Sequence, residues 1–426
     1  MTQPSAGPLT GIRVLELGSS VAGPFCGRLF ADFGAEVIKV ELADGDPVRS
    51  MGKRANGKSL YAASIFRNKR LVSIDLKTDR GRALVAALAA KADVVIENFR
   101  PGTLERMGLG YDALSAANPG LVLIRISGFG QTGPYAQRAG YGAIGEALSG
   151  LRGLTGDPDR PPSRIAASVT DEVTAIYGAL GGMMALWSRA ATGRGQVVDA
   201  TLFESAFSLI EPHVPAFDKL GIVAERAGAR LPDSSPNNTF TTRDGRYIHI
   251  TAMGDPVFVR LAQAIGRADL ATDPKYATQV LRSQHEEEID ALIAAWVGAH
   301  DLAAVVAALN DGGVPAAPIY TVADIFEDPH FKARDMLVRV ADDALGTVAL
   351  AGIVPKLSAT PGAIRHTGHR IGEDTVDVLA DVLGLSPAEI AALEQAGVVA
   401  TGPARRERTP RAGPPAAARS ANGAMQ

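Results

Sequence analysis

The stretch GIRVLELGSSVAGPFCGRLFADFGAEVIKVEL, residues 11 to 42, contains two short apolar runs separated by a segment with helical spacing. The runs GIRVLEL and EVIKVEL are rich in Val, Ile and Leu, as buried strands are. A strand, a helix and a second strand in this order predict a parallel crossover, because parallel strands are usually joined through a helix. The chain is therefore predicted to begin with an α/β unit.

The same alternation continues to about residue 205. Further strands are predicted for LVSIDL (71–76), DVVIENF (93–99) and LVLIRIS (121–127), with a helix over DRGRALVAALAAKA (79–92). This repetition predicts a Rossmann-like large domain in which helices cover a mostly parallel sheet.

The segment DEVTAIYGALGGMMALWSRA (171–190) predicts a long helix. Its acidic start suits the positive end of a helix dipole, and the local pattern makes Asp171 an N-cap. Three glycines inside the segment weaken an isolated helix, so their predicted role is close packing against another element. They are Gly178, Gly181 and Gly182.

After residue 205 the pattern changes. A loop is predicted over RLPDSSPNN (230–238) and a hairpin at the Asp244-Gly245 turn of TTRDGRYIHIT. Helical spacing returns in VFVRLAQAIG and EEIDALIAAWVGAH, which predicts a smaller α+β domain over residues 225–320. The Pro-, Ala- and Arg-rich end, residues 401–426, is predicted to be a disordered tail.

Composition limits the classes of function. The chain has 426 residues, with 43 basic and 46 acidic side chains and a formal net charge of -3, so neither a nucleic-acid surface nor a strongly charged partner is indicated. No apolar run approaches the roughly 20 residues of a membrane span, and no signal-peptide pattern is present. The single cysteine, Cys26, is given a structural role and fits a reducing compartment. We expect a cytoplasmic protein that acts on a small molecule.

The segment SGFGQTGPY (127–135) carries the spacing G-x-G-x-x-G. A dinucleotide fingerprint belongs in the first strand-turn-helix unit, with an acidic residue about 20 positions further on. Here the glycines follow the fifth predicted strand and Pro134 comes directly after them, so no nicotinamide cofactor is predicted. The first turn, LGSSVAGPFCG, has the better position for a cofactor. The seven histidines lack metal-ligand spacing, and no metal is predicted.

Six segments of the chain, some of them quoted above, occur together and in one order. They are LTGIRVLEL, AGPFCGRLFADFGAEVIKVE, NKRLVSIDLKTDRG, ADVVIENFRPGTLERMGLGYDAL, SGFGQTGPYAQRAGY and DEVTAIYGALGGMMALWSRAATGRGQVVDATLFES. Over roughly residues 8–400 the chain resembles the class III CoA-transferases, a family that includes formyl-CoA transferase and α-methylacyl-CoA racemase. The resemblance implies an interlocked homodimer. It also implies a large domain that begins at 1–205, a linker at 206–224, the small domain at 225–320, and a linker with a C-terminal return to the large domain at 321–400.

The resemblance also implies a site for coenzyme A or an acyl-CoA. The matching nucleophile is Asp171, which would form an aspartyl-CoA thioester, and its place at a helix start favours the ionised carboxylate. Backbone N–H groups of Gly128 to Gly133 would face the developing oxyanions. The matching CoA contacts are Ser19, Ser20, Val21, Ala22, Ile74, Lys77, Asn98, Phe99, Arg106 and Met107.

Two positions depart from formyl-CoA transferase: Leu42 and Ala139 stand where that enzyme has an arginine and a lysine. Other cations would then meet part of the charge of CoA, with Arg49, Lys53, Arg54 and Arg138 as candidates. The residues assigned to the substrate pocket are Gly130, Gln131, Tyr141, Arg49 and Arg54, and Arg164 is a further candidate for a distal carboxylate.

Tyr141 and Gly142 stand where the racemase branch has a histidine and an aspartate. Tyrosine is a poor base at neutral pH and glycine is none, which favours CoA transfer over racemisation. The segment HITAMGDPVF has one glycine, Gly254, where the oxalate-using enzymes have a tetraglycine loop. Formyl-CoA and oxalate are therefore not the expected substrates. The chain is most similar to family members that pass CoA from succinyl-CoA to another dicarboxylate, and this resemblance implies the same reaction here. A racemase, an NAD-dependent oxidoreductase and a catalytically silent CoA-binding protein remain as alternatives.

Overall fold

The computed structural model describes residues 7–402 of the chain. Its strands are β1 (Arg13–Glu16), β2 (Glu36–Glu41), β3 (Arg54–Ala55), β4 (Lys58–Ser59), β5 (Arg70–Ile74), β6 (Val94–Glu97), β7 (Val122–Ser127), β8 (Val197–Thr201), β9 (Asn237–Thr241), β10 (Tyr247–Thr251), β11 (Ala316–Pro318), β12 (Leu337–Asp342), β13 (Gly346–Ala351) and β14 (Val399–Ala400).

Its α-helices are α1 (Ala22–Asp32), α2 (Leu60–Ile65), α3 (Asp79–Ala89), α4 (Thr103–Arg106), α5 (Tyr111–Ala117), α6 (Gly142–Leu148), α7 (Val169–Thr192), α8 (Leu202–Phe207), α9 (His213–Leu220), α10 (Asp255–Ala264), α11 (Gln279–Gln284), α12 (Glu286–Gly298), α13 (Leu302–Asp311), α14 (Val322–Glu327), α15 (Pro329–Ala333), α16 (Thr375–Leu383) and α17 (Pro387–Gln395).

The main sheet of the described residues has seven strands in the order β14-β5-β2-β1-β6-β7-β8. Neighbouring strands from β5 to β8 pair in parallel, and β14 pairs antiparallel to β5. Each of the five strands predicted from Val, Ile and Leu runs overlaps an observed strand. The predicted α/β class and the mostly parallel sheet are therefore confirmed.

The order in which the chain adds strands reverses between the neighbouring strands β1 and β6. From β1 it passes to β2 and β5 on one side, and from β6 to β7 and β8 on the other. In open α/β sheets, ligands bind in the crevice outside the carboxyl ends of the strands at such a reversal. The topology alone thus predicts a ligand site at the residues that follow β1 and β6.

Helix α7 packs closely on this sheet through its glycines, as predicted. A Cβ on Gly182 would lie 2.6 Å from Ile124 Cδ1 in β7, and one on Gly181 would lie 2.6 Å from Val198 Cγ1 in β8. The predicted start of the helix is wrong, because the N-cap is Ser168 and Asp171 is the third helical residue. The early start places the Asp171 side chain beside the first turn rather than ahead of it.

A second, antiparallel sheet has the order β11-β10-β9. It shares a separate hydrophobic core with α10, α12 and α13, and the predicted hairpin turns at Gly245, whose φ is +74°. The domain limits remain predictions. Apart from Thr401 and Gly402, the predicted tail lies outside the described residues.

Within residues 7–402, no single helix is long and apolar enough to cross a membrane. Only the pair α12 and α13, bent by 119°, reaches that length and composition when the two helices are taken together.

Candidate active site

The turn after β1, residues 18–23, lies at the reversal point and is called the switch-point turn here. The N–H of Ser19 donates to Asn98 Oδ1 at 2.7 Å, and Asn98 Nδ2 donates to the Ser19 carbonyl at 2.8 Å. Its two ends meet closely, since a Cβ on Gly23 would lie 2.9 Å from the Cα of Gly18. Asn98 follows β6, so the two strands that flank the crevice are joined by this pair of hydrogen bonds.

Ser20 in this turn has a φ of +63°, a conformation that non-glycine residues rarely adopt. Its N–H donates to Asp46 Oδ1 at 3.0 Å, and the other oxygen of Asp46 lies 2.9 Å from Lys39 Nζ. Lys39 also donates to the Gly18 carbonyl at 2.6 Å. The buried ion pair of Lys39 and Asp46 therefore stabilises the strained turn through hydrogen bonds to its main chain. Sequence reasoning missed this feature.

The pKa of Lys39 reflects two opposed effects. Burial alone would lower it, but the negative charges of Glu16 and Asp46 raise it overall. The ammonium group therefore stays charged beneath the turn.

Several other residues matched to CoA contacts lie at the same edge of the sheet. Lys77 is exposed beyond β5, and Phe99 and Met107 are half-buried around α4. The exposed Arg106 donates to Thr103 Oγ1 at 2.9 Å. Ile74 differs, because the whole residue is 0% exposed within β5 and the core and presents no surface to a ligand.

The residues after β6 are supported by a buried carboxylate. Glu97 Oε2 accepts the N–H of Phe99 at 2.7 Å, and Glu97 Oε1 accepts from Arg125 at 2.7 Å. Burial raises the pKa of Glu97 to about 6, although Arg125 opposes the shift.

Asp171 lies in the first turn of α7 with its carboxylate against the main chain of α6. A Cβ built on Gly142 would lie 2.1 Å from Asp171 Oδ2. Burial raises the pKa of Asp171 to about 6; its own N–H and Arg164 oppose this shift, and Glu172 adds to it. The N–H group at the helix start favours the ionised carboxylate, as expected, but loss of water outweighs it and the net shift of the pKa is upward.

Tyr61 in α2 is a further neighbour of Asp171. Burial raises the pKa of Tyr61, a side-chain hydrogen bond with Ser168 opposes the shift, and the charges of Glu172 and Asp171 raise it further. Its hydroxyl therefore stays protonated at neutral pH. No local motif marks Tyr61, which is 110 positions away in the sequence.

The segment 127–133, called the glycine turn here, is anchored to protein groups. The N–H of Gly130 donates to Ser127 Oγ at 2.9 Å, and that of Gln131 donates to Asp199 Oδ2 at 2.9 Å. Gly130 and Gly133 have φ values of +90° and +87°, which explains the glycines. The prediction that these N–H groups face an oxyanion is corrected for Gly130 and Gln131.

Of the residues assigned to the substrate pocket, Arg49 and Arg54 line one cavity, and Gly130, Gln131 and Tyr141 do not line it. Tyr141 is 75% exposed. Arg49 donates to Glu41 at 2.7 and 2.6 Å and also to the His369 carbonyl, so its charge is partly met within the chain, and its role as a substrate cation stays a prediction. Arg54 is exposed and lines a polar cavity of about 830 Å³ together with Arg370.

The other candidate cations and the cysteine have separate surroundings. The guanidinium of Arg138 lies 3.5 Å above the Tyr135 ring, and Lys53 is exposed. Cys26 is buried, and burial raises the pKa of its thiol well above the usual range, as a structural role requires. In the part of the chain that the structure describes, no group of three His, Cys, Asp or Glu residues could hold a metal ion.

Comparison with known proteins places this fold and site in a family. The family model described as CoA-transferase family III matches residues 9–375. A succinyl-CoA–D-citramalate CoA-transferase of Chloroflexus aurantiacus is 47% identical, over 92% of this chain and 98% of that protein. The succinyl-CoA–L-malate CoA-transferase beta subunit of the same organism is 40% identical, over 92% of this chain and 98% of that protein.

Among solved structures, a CAIB/BAIF family protein from Brucella suis superposes with a TM-score of 0.79 at 36% identity, over 89% of this chain and 100% of that chain. The family-model match covers β1 to β8, the switch-point turn and α7 alike. The chain belongs to CoA-transferase family III and is an enzyme of that class.

Proposed function

We propose that the enzyme moves CoA from succinyl-CoA to a dicarboxylic acid through a covalent intermediate on Asp171. The observation that carries this proposal is the desolvated Asp171 carboxylate at the start of α7, beside Gly142 and Tyr61. The printed names of the two relatives, a citramalate and a malate transferase that use succinyl-CoA, support the choice of donor and acceptor class.

The first half of the reaction transfers CoA to the enzyme. The Asp171 carboxylate attacks the thioester carbonyl of succinyl-CoA, the C–S bond breaks, and a mixed anhydride and CoA thiolate form. The thiolate then attacks the aspartyl carbonyl, the anhydride C–O bond breaks, and succinate leaves. The product is an aspartyl-CoA thioester.

The second half repeats these steps with the acceptor. The acceptor carboxylate attacks the aspartyl thioester and expels the thiolate, which then attacks the acceptor carbonyl and releases the Asp171 carboxylate. No proton or electron is gained or lost over the cycle. Water would hydrolyse either anhydride, so the reaction needs an enclosed site.

The surroundings of Asp171 suit this role. With a pKa of about 6, the carboxylate is mostly ionised at neutral pH while it remains poorly solvated. The protonated Tyr61 hydroxyl, which interacts with Ser168 at the N-cap of α7, is the candidate donor for charge that develops near the aspartyl carbonyl.

Arg164 is the cation that we assign to the distal carboxylate of the acceptor. It is exposed, and its charge lowers the pKa of Asp171, which supports this assignment. Arg160 belongs to the same segment but lies 3.9 Å from Asp157, and it serves as the matched control.

A homodimer is the proposed assembly. One face of α7 leaves large apolar side chains in solvent, including Trp187, which is 83% exposed. Further exposed apolar residues on α7 and α9 are Ile176, Tyr177, Leu180, Met183, Met184, Phe217 and Leu220. A patch of this kind marks an interaction surface. Trp187→Glu should shift the sedimentation coefficient from that of a dimer to that of a monomer, and an unchanged dimer would count against this surface.

The alternatives are less well supported. Racemisation needs a base near the α-carbon, and position 142 offers no side chain while Tyr141 points into solvent. Membership of family III argues against a nicotinamide oxidoreductase.

Intact-protein mass spectrometry after incubation with succinyl-CoA tests the covalent step. The expected adduct has the mass of CoA minus water, maps to Asp171, and is discharged by dicarboxylic acids. It should be absent from Asp171→Asn and present in the control Glu172→Gln. An adduct in Asp171→Asn, or none in the wild type, would overturn the proposal.

Acceptor kinetics test the role of Arg164. Arg164→Met should raise KM for a dicarboxylate acceptor roughly tenfold, the effect of losing one charge-assisted hydrogen bond, and leave KM for a monocarboxylate of equal length unchanged. Arg160→Met should change neither value. Equal effects on both acceptors would remove Arg164 from the proposed site.

A further inference from the structure

Gly142 is the first residue of α6, and the carboxylate of Asp171 occupies the space that a side chain at position 142 would need. The built Cβ would lie 2.1 Å from Oδ2, 2.8 Å from Cγ and 3.3 Å from Oδ1 of Asp171. All three carboxylate atoms are thus nearer than ordinary van der Waals contact. The two residues meet although 29 positions separate them.

The backbone at position 142 does not itself require glycine. Its φ does not lie in the left-handed region, and it opens a helix, where alanine is more favourable than glycine. The need for glycine therefore comes from the neighbouring carboxylate.

We propose that Gly142 is a positioning residue. Because it has no side chain, the Asp171 carboxylate can occupy the place and orientation from which it attacks the thioester. This inference rests on the proposed function of Asp171 as the nucleophile. Close contact with the main chain also removes water from one side of the carboxylate, in agreement with its raised pKa.

A methyl group at position 142 should displace the carboxylate, because the carboxylate is the free end of a short side chain and can rotate when the helix backbone cannot. The other groups around the carboxylate, Tyr61, Arg164 and Glu172, would stay in place. A nucleophile displaced by about 1 Å can lose about a hundredfold in rate.

The experiment compares wild type, Gly142→Ala and the control Gly153→Ala. Gly153 has nothing within 4 Å of its built Cβ and no left-handed φ, so its replacement tests the general effect of a glycine-to-alanine change. For Gly142→Ala we expect kcat to fall about a hundredfold, with KM for succinyl-CoA and Tm close to wild type. The acidic limb of its pH–rate profile should move below pH 6, since the displaced carboxylate regains water.

Wild-type kcat in Gly142→Ala, an unmoved acidic limb, or an equal loss in Gly153→Ala would overturn the inference. If Gly142→Ala does not fold, the double variant Gly142→Ala/Asp171→Ala decides. Recovery of folding shows that the clash is with the carboxylate, and continued failure to fold contradicts the inference.

The outcome is separate from that of the proposed function. If Asp171→Asn keeps its activity, the proposed nucleophile is wrong. If Asp171→Asn is inactive while Gly142→Ala behaves as wild type, the nucleophile stands and only the role of Gly142 is lost.

Discussion

The switch-point turn and the glycine turn both follow parallel strands and open at the same edge of the main sheet. The glycine turn carries the better-known spacing, yet Gly130 and Gln131 direct their N–H groups to Ser127 and Asp199. The switch-point turn lacks the full spacing, but it lies at the reversal of strand order and is held by Asn98 and Asp46. The Ser19 and Ser20 N–H groups are likewise bonded to side chains, so what favours the switch-point turn as the candidate ligand site is its position at the reversal of strand order.

The largest expected difference between the two turns comes from removing the side chain that anchors each one. Asn98→Ala frees the Ser19 N–H and carbonyl, and KM for succinyl-CoA should rise roughly tenfold to a hundredfold, the effect of about 1.4 to 2.7 kcal/mol of lost hydrogen bonding. Asp199→Ala frees the Gln131 N–H and should change this KM less than threefold. Steady-state kinetics with a fixed acceptor would measure both, and a larger effect from Asp199→Ala would reverse the comparison.

The next effect concerns pH. Because the pKa of Asp171 is raised to about 6, kcat should fall about tenfold per pH unit below that value as the nucleophile becomes protonated. The contribution of Asp171 to the free energy of unfolding has the opposite pH dependence, because it decreases as pH rises. Its folded pKa lies above its unfolded value, so its stabilising contribution is present at pH below about 4 and is lost as pH rises through about 6.

The pH dependence of kcat in the variant Asp199→Asn tests whether the glycine turn affects Asp171, because Asp199 accepts the Gln131 N–H of that turn. If the glycine turn contributes shape and no charge to the site, the acidic limb of kcat should stay near pH 6 in this variant. A shift of the limb by half a pH unit or more would show that the glycine turn tunes Asp171 after all.

The smallest expected effects are changes of opposite sign in stability. Ser20→Gly relieves a positive φ and should raise the free energy of unfolding by about 0.5 kcal/mol, since the greater freedom of glycine in the unfolded chain offsets part of the gain. Gly133→Ala imposes a side chain at φ +87° and should lower it by about 1 kcal/mol. Urea unfolding would measure both, and equal signs would show that only one of the turns stores strain.

Local pattern predicted the parts of the fold that depend on local sequence. The apolar run at 121–127 became β7, and the glycines of α7 pack on Ile124 and Val198 as expected, because strand propensity and helix spacing extend over a few residues. The helix start was misplaced by two residues and its N-cap by three, since Ser168 caps α7 without a side-chain hydrogen bond that a pattern could reveal.

The site depends on contacts between distant residues, and these were mostly beyond sequence reasoning. Asp171 was identified through resemblance, whereas its local pattern pointed to a cap. The approach of Gly142 to its carboxylate, the nearby Tyr61, and the link from Ser20 to Asp46 need the folded chain. The sign of the pKa shift of Asp171 also depends on burial, which a linear pattern does not contain.

The short strand β14 has a consequence for how the protein is made. It pairs with β5 through Val399 and Ile74, and the Val398 carbonyl accepts the N–H of Asp75. On a ribosome, more than 300 residues are synthesised after β5 before its partner emerges. Until then β5 is an open sheet edge, a state that invites pairing with other chains. Completion of the main sheet, and protection of that edge in the nascent chain, thus wait until residues 399 and 400 have been synthesised.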